Sequence, residues 1–342
     1  MIKVIKNDKY VIFFNMETGQ EILSGINKNS DPFVLDMASL LDVGVMGFCN
    51  NSCSTCYQGT NHYDSHMSLE NFKLIVDQTK DYINQIAIGG FGSPDQHPQF
   101  KEILEYCRQN NIVPNYTTSG NGLTDEQIKI SKKYCGAVAV SDYDQPFTYS
   151  AINRFLNAGI KTNIHFIFSS ERFERAIDIL DGKDVWNNQF DVSKLNAVIF
   201  LLFKPKGKGK GRYDLVPTDN QIKSFIQKIR NPKVKFKLGM DSCLVNQLAR
   251  IDKLTETEKL FLDTCEASRA SMYITPDMLA VPCSFADYEK NGVKITPENT
   301  IKNIWDNSDS FNNCRYSLLE CPIECPYADH FIRKDGIFCK ID

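Results

Sequence analysis

Three cysteines crowd one short stretch, Cys49-Asn-Asn-Ser-Cys53-Ser-Thr-Cys56, in the spacing C-x3-C-x2-C. Thiolates are the usual ligands of iron–sulfur centres, and three this close can wrap one cluster. Three is one short for a four-iron cube, which leaves one iron open to a small molecule. Zinc is the competing reading. It asks for four protein ligands or three and a water, and His62 and His66 lie close by. The residues between the cysteines are polar, which argues against thiols that merely pack in a core. Of the chain's 12 cysteines, Cys107 and Cys135 are isolated, whereas Cys243, Cys265, Cys283, Cys314, Cys321, Cys325 and Cys339 all fall near the C-terminus. Two metal regions separated by a cysteine-poor body is the simplest arrangement.

Composition narrows the class. The 342 residues are 42% hydrophobic and 24% charged, which excludes disorder and coiled coil as global descriptions. With 39 basic against 42 acidic residues the net charge is -3, so neither a nucleic acid nor a membrane surface is an expected partner. The longest apolar run, Ala197 to Phe203, is far shorter than the ~20 residues of a membrane-spanning helix. The opening MIKVIKNDKY has no signal-peptide apolar core. A cytoplasmic location is expected, where thiols serve as ligands or buried side chains rather than in disulfides.

The elements that must position these cysteines are legible from periodicity. Residues 1–40 read as a β-hairpin plus a linker, with Thr18-Gly19 at the turn. Residues 41–240 alternate short apolar runs with amphipathic stretches. Strands are expected at 41–46, 85–89, 112–117, 137–141, 161–168 and 197–203, with helices between them. Ser68 suits a helix cap, and Thr124 with Gln127 three residues on suits a capping box. Six strand–helix units in series imply parallel strands and right-handed crossovers, hence an α/β fold with a partial (β/α)6 TIM-like barrel. Residues 241–342 lose this rhythm. They read as a small Cys-rich domain held by metal rather than by apolar burial.

A C-x3-C-x2-C loop after the first strand of such a barrel resembles the radical S-adenosylmethionine (SAM) superfamily, over roughly residues 41–238. The resemblance implies a [4Fe-4S] cluster on Cys49, Cys53 and Cys56, with SAM chelating the open iron. It also implies a flavodoxin- or ferredoxin-type electron donor. Reductive cleavage of SAM then yields a 5′-deoxyadenosyl radical, which removes hydrogen from a substrate C–H bond. Gly89 and Gly90 match the family's Gly-Gly-Glu stretch, but Phe91 stands where the acid belongs, and Asp95 is placed to compensate. The resemblance further implies SAM contacts at Ser119, at Ser141 with Asp142 beside it, and at Asn163, whose neighbour His165 shares its side of the strand. Thr55 replaces a common aromatic, and Tyr57 is placed to pack near the cluster instead. Lys204 to Arg212 interleaves glycines with basic residues without the pattern of a phosphate-binding P-loop. It reads as a solvated loop or as a clamp on an acidic substrate.

Cys265 and Cys283 flank a hairpin with a Pro-Asp turn, followed by Cys321-x3-Cys325. This resembles the SPASM and shorter Twitch extensions of radical SAM enzymes, which hold auxiliary four-iron clusters. The spacing departs from a full SPASM pattern, so one auxiliary [4Fe-4S] cluster on Cys265, Cys283, Cys321 and Cys325 is expected, with Cys339 or Cys243 as alternative ligands. The resemblance points to an enzyme that takes hydrogen from a peptide and so crosslinks, epimerises or oxidises it. Dehydrogenation of a small alcohol or sugar is the alternative, and an iron–sulfur scaffold or electron carrier the non-enzymatic one. No residue is singled out as catalytic.

Overall fold

The computed structural model describes residues 1–27, 32–51, 53–59, 63, 65–252, 254–322 and 325–327. His62 and Cys339 lie outside the described residues. The chain opens with a three-stranded antiparallel meander, β1 (Ile2–Lys6), β2 (Tyr10–Asn15) and β3 (Glu21–Gly25). The expected hairpin is β2–β3. The strand β1 was hidden by its lysines, which alternate with the apolar residues of IKVIK.

Parallel strands and helices then alternate. They run β4 (Leu40–Val43), α1 (Leu69–Thr79), β5 (Gln85–Ile88), α2 (Phe100–Gln109), β6 (Val113–Thr118), α3 (Asp125–Tyr134) and β7 (Val138–Ser141). The series continues as α4 (Pro146–Asn157), β8 (Thr162–Phe168), α5 (Phe173–Leu180), β9 (Ala197–Leu202), α6 (Asp219–Ile229), β10 (Lys237–Met240) and α7 (Ser242–Ile251). Caps fall where the sequence placed them. Ser68 accepts from the Asn71 amide, and Thr124 and Gln127 form a complete capping box. Strands β4 to β10 pair in sequence order, so the barrel has seven parallel strands rather than six. The seventh, Lys237-Leu-Gly-Met240, is short, carries a lysine and a glycine, and has no fully buried residue, which concealed it.

Along each strand the outward side chains are large and buried, such as Ile86 and Ile88, Ile164, Phe166 and Phe168, and Val198 and Phe200. They pack on α1 to α6 through Phe72, Ile103, Phe155, Ala176 and Phe225. The inward positions are small or polar, among them Ala87, Asn115, Thr117, Ala139, Ser141, Asn163 and His165. Closed α/β barrels usually fill this space with branched side chains. Here the lumen holds two cavities instead, of about 510 Å³ at the C-terminal ends of the strands and about 890 Å³ at the opposite end, meeting at Ala87, Thr117 and His165.

The C-terminal part is not a separate body. Strand β11 (Ser271–Ile274) pairs in parallel with β4, and β12 (Leu279–Val281), α8 (Tyr288–Asn291) and β13 (Val293–Lys294) extend the same ten-stranded sheet and flank it. Then α9 (Ile301–Asn307) and α10 (Asp309–Glu320) close the chain's described part. Met272, Ile274, Ile304, Trp305 and Phe311 belong to the main apolar core, and Trp305 donates to the Leu35 carbonyl at 3.0 Å. The expectation of a domain held by metal rather than apolar burial is corrected accordingly. The sequence lost its periodicity there because the strands are two to four residues long.

Ile274→Ala should cost about 3 kcal/mol in urea unfolding, the usual range for emptying a packed core site. Fluorescence of Trp186 in the barrel and Trp305 near the C-terminus should report the same lowered midpoint, since both rest on one core.

Candidate active site

The chain leaves β4 through Gly44 to Phe48 and enters the cysteine loop. Cys49 accepts from the Asn51 amide at 3.4 Å, and the Cys56 amide closes a turn on the Cys53 carbonyl at 3.3 Å. Two other loops hold it in place. Asn51 donates to Ser119 Oγ at 2.9 Å and accepts from Asn121 at 3.0 Å, while Ser119 also meets Ser93 Oγ at 3.0 Å. These bonds tie the loops after β4, β5 and β6 together. The Lys208 amide donates to the Cys56 carbonyl at 2.9 Å. Gly207, at φ +57°, lies so close that a Cβ there would meet the Cys56 and Tyr57 carbonyls at 2.4 Å. The glycines of the 204–212 loop therefore serve close backbone approach, and the loop lies across the cysteine turn as a strap.

All three cysteines border the 510 Å³ cavity, together with Gly89, Gly90, Phe91, Ser119 and Ser141. Burial pushes the Cys53 thiol up, and the neighbouring Cys56 and Cys49 push it further, against a hydrogen bond from the Tyr143 hydroxyl. Three thiolates so placed repel one another unless a cation is shared among them, which is what an iron cluster supplies. Among the described residues no three Cys, His, Asp or Glu side chains converge on an ion-sized point. A cube does not ask for that, because each thiolate takes its own iron.

The other expected SAM positions divide. Asn163 is placed at the opposite end of the lumen, where it accepts from Asn196 at 2.7 Å, while His165 and Ile167 of that strand reach the upper cavity. Alternation gave the side of the strand correctly and not the height along it. Asp142 is fully buried and turned to Arg172, at 3.0 Å, and to Trp186. Asp95 does not border the cavity, and burial raises its carboxyl to about 6. Gly90, at φ +84°, has a second reason to be glycine. A Cβ there would lie 2.5 Å from the Tyr273 hydroxyl, and one on Gly44 would lie 2.4 Å from it. The phenol of β11 thus wedges between the backbones of the first two barrel strands' loops. His66 accepts from the Gly47 amide at 2.9 Å, a structural use.

Several cavity residues gave no sequence signal. Asp42 on β4, Tyr143 after β7 and Asp241 after β10 border the space. They are single polar residues in strands or loops, and only the closure of the barrel gathers them. Burial is the largest influence on Asp42 and raises its carboxyl to about 7. Tyr57 is half-buried with its ring 4.5 Å from that of Phe285.

Beyond Lys204 and Phe285 lies a smaller pocket of about 30 Å³, bordered by Cys243, Cys265, Cys283 and Cys325. Cys243 opens α7, whose N-cap Asp241 accepts from the Leu244 amide at 2.9 Å. Cys265 donates its amide to Asn246 at 3.1 Å. Burial raises all four thiols, Cys325 to about 11 and Cys243 and Cys283 to about 12, with their mutual proximity adding to it. Cys321 caps α10 and does not border the pocket, which Cys243 does. Cys314 faces the Ala267 carbonyl at 3.7 Å, in apolar surroundings.

Comparison with known proteins follows this geometry. Residues 43–141 match the Radical SAM superfamily. The chain is similar to the mycofactocin maturase MftC of Mycolicibacterium smegmatis, with 22% identity over 78% of this chain and 70% of that one. A tungsten-containing aldehyde ferredoxin oxidoreductase cofactor-modifying protein of Pyrococcus furiosus matches at 29% identity, over 24% of each chain. Streptococcus suis SuiB bound to its precursor peptide SuiA shares the fold at TM-score 0.67 and 14% identity, covering 92% of this chain and 90% of that one.

The Asp42 carboxyl makes a pH prediction. It titrates near 4 when unfolded and at about 7 when folded, so the folded chain keeps a proton that the unfolded chain releases. Its contribution to stability is present below the unfolded value and is lost as pH rises through about 7. Asp42→Asn should lose roughly 2 kcal/mol less than the wild type between pH 4.5 and 7.5 in denaturant titrations, the full effect being reduced by water in the cavity. Parallel curves for the two proteins would refute this.

Proposed function

We propose that this radical SAM protein modifies a peptide, and that Cys49, Cys53 and Cys56 hold the SAM-cleaving [4Fe-4S] cluster. The observation that carries the reading is the upper cavity, which brings the three thiols, the Gly89-Gly90 turn and Ser119 into one space walled from the barrel's helices. Bound there, a reduced cluster supplies the electron that splits SAM into methionine and a 5′-deoxyadenosyl radical. The chain's own part is binding, orientation and exclusion of water. Tyr143 fixes Cys53, and Asn51 and the 207–208 backbone fix the loop on either side. Carbonyls of the Gly89-Gly90 turn are free to accept from the SAM ammonium where the family uses an acid. Phe91, Tyr57 and Phe285 supply apolar wall.

The peptide reading is supported by the kinship with MftC and by the fold shared with SuiB in its peptide complex. The cavity is large enough for SAM and one or two side chains, and it adjoins the strap 204–212, whose Lys208 stands at its edge. An auxiliary [4Fe-4S] cluster on Cys243, Cys265, Cys283 and Cys325 completes the proposal, in a region, 241–342, that joins the barrel through β4 and β11.

Replacing Cys49, Cys53 and Cys56 together by Ala should abolish 5′-deoxyadenosine formation by the reduced, reconstituted protein. Survival of that activity would sink the cluster assignment. A precursor peptide should change by about two mass units, or be epimerised, with one SAM consumed per event or fewer. Turnover of a free sugar alcohol and of no peptide would favour the small-molecule alternative. Iron analysis should give about eight irons per chain, falling to about four in the triple variant. Cys243→Ala should lose the C-terminal iron that Cys321→Ala retains, and the reverse result would restore Cys321 as the ligand.

A further inference from the structure

The upper cavity and the four-cysteine pocket share two bordering side chains, Lys204 and Phe285. The Lys204 ammonium stands 4.2 Å from the centre of the Phe285 ring and 2.6 Å from Asp241 Oδ2. Its side chain is only 10% exposed and that of Asp241 20%. Such a pair costs desolvation on both sides and is weak grounds for stability. Its orientation is more informative. Asp241 Oδ1 accepts from the Leu202 and Leu244 amides, which pins the carboxylate at the start of α7, where it borders the upper cavity and not the pocket. The ammonium borders both. The Lys204 charge is felt at Cys243, Cys283 and Cys325, while the Asp241 charge is felt at Cys243, so the cation is the charge the thiols share. The pocket's other polar neighbours are Lys206, Asn246 and Gln247, so no carboxylate borders it among the described residues.

We propose that Lys204 is a positioning charge that stabilises the reduced form of the C-terminal cluster. The inference rests on the reading that this pocket holds a cluster. One-electron reduction adds one negative charge to the cluster and its thiolates. A fixed cation beside them, with an aromatic ring in place of water, favours that added charge more than it would in solvent. Iron–sulfur potentials respond to nearby charge and to exposure in this way. Lys204 thereby raises the potential of the C-terminal cluster.

The test uses the full chain with Cys49, Cys53 and Cys56 replaced by Ala, so that only the C-terminal pocket binds iron. Its midpoint is read by dithionite titration followed by electron paramagnetic resonance. Lys204→Met should lower the midpoint, so that the reduced-to-oxidised ratio at the original midpoint falls about tenfold, which is 59 mV for one electron. Lys204→Arg keeps the charge and should keep the midpoint. Lys206→Met leaves the buried pair intact and should shift the midpoint the same way by less. Iron retained with an unchanged midpoint in Lys204→Met, or an equal fall in Lys204→Arg, overturns the inference and leaves the cluster reading standing. Should Lys204→Met fail to hold iron, Lys206→Met decides: a fall supports the charge argument and no change overturns it. Absence of iron from the parent triple variant overturns the cluster reading and this inference with it.

Discussion

The structure depends on an uneven sharing of bulk between the two faces of each barrel strand. Isoleucine, valine and phenylalanine go outward, where they are fully buried against the helices. Alanine, glycine, serine, threonine and asparagine go inward. Outward packing carries the stability, so the lumen can stay open. The open lumen in turn makes room for a cofactor of the size of SAM in a site with rigid walls. A barrel with isoleucine at Ala87 and Thr117 would be better packed and would lose much of this space. The same division explains why the inward polar residues need so few direct partners, since the cavities give them access to water.

That constraint also explains what the sequence made legible. The long apolar runs at 161–168 and 197–203 and the caps at Ser68 and Thr124 are local signals, and the strands and helices stand there. The cysteine loop was readable for the same reason, because its chemistry is contained in eight adjacent residues. What failed was height and distance. Asn163 and His165 face the same way and share the lower cavity, yet two residues of strand rise let only His165 of the pair reach the cysteine-lined one. Asp142 follows Ser141 directly, and its buried pairing with Arg172 depends on a helix thirty residues on. Cys243 stood twenty-two residues before Cys265 with no motif joining them, and only the placement of α7 beside the pocket brings them together.

The basic loop shows how a composition can mislead about its own purpose. Its lysines drew a reading of solvated clamp, but its glycines are what the fold uses. Gly207 has to meet the carbonyls of Cys56 and Tyr57 at a distance no side chain tolerates, and Lys206 reaches the Phe285 carbonyl. One strap thus touches the turn that carries the third cysteine and the segment that follows Cys283. The strap's backbone meets the first cysteine site, and its Lys206 side chain meets the segment beside the second.

The C-terminal region carries this coupling further. Zinc fingers and similar small domains owe their folding to metal because they lack a core. Here Met272, Ile274, Trp305 and Phe311 are packed into the barrel's own core, and β11 is bonded along β4, the strand that leads to the cysteine loop. Apolar burial and strand pairing therefore support the hairpin independently of any metal. The binding energy of a cluster at Cys243, Cys265, Cys283 and Cys325 is then free to order what lies beside it, the thiols and the wall of Lys204 and Phe285, rather than the whole domain. Tyr273 transmits the reverse dependence: its phenol fills the space left by Gly44 and Gly90, so the shape of the Gly89-Gly90 turn is set in part by a strand some 180 residues downstream.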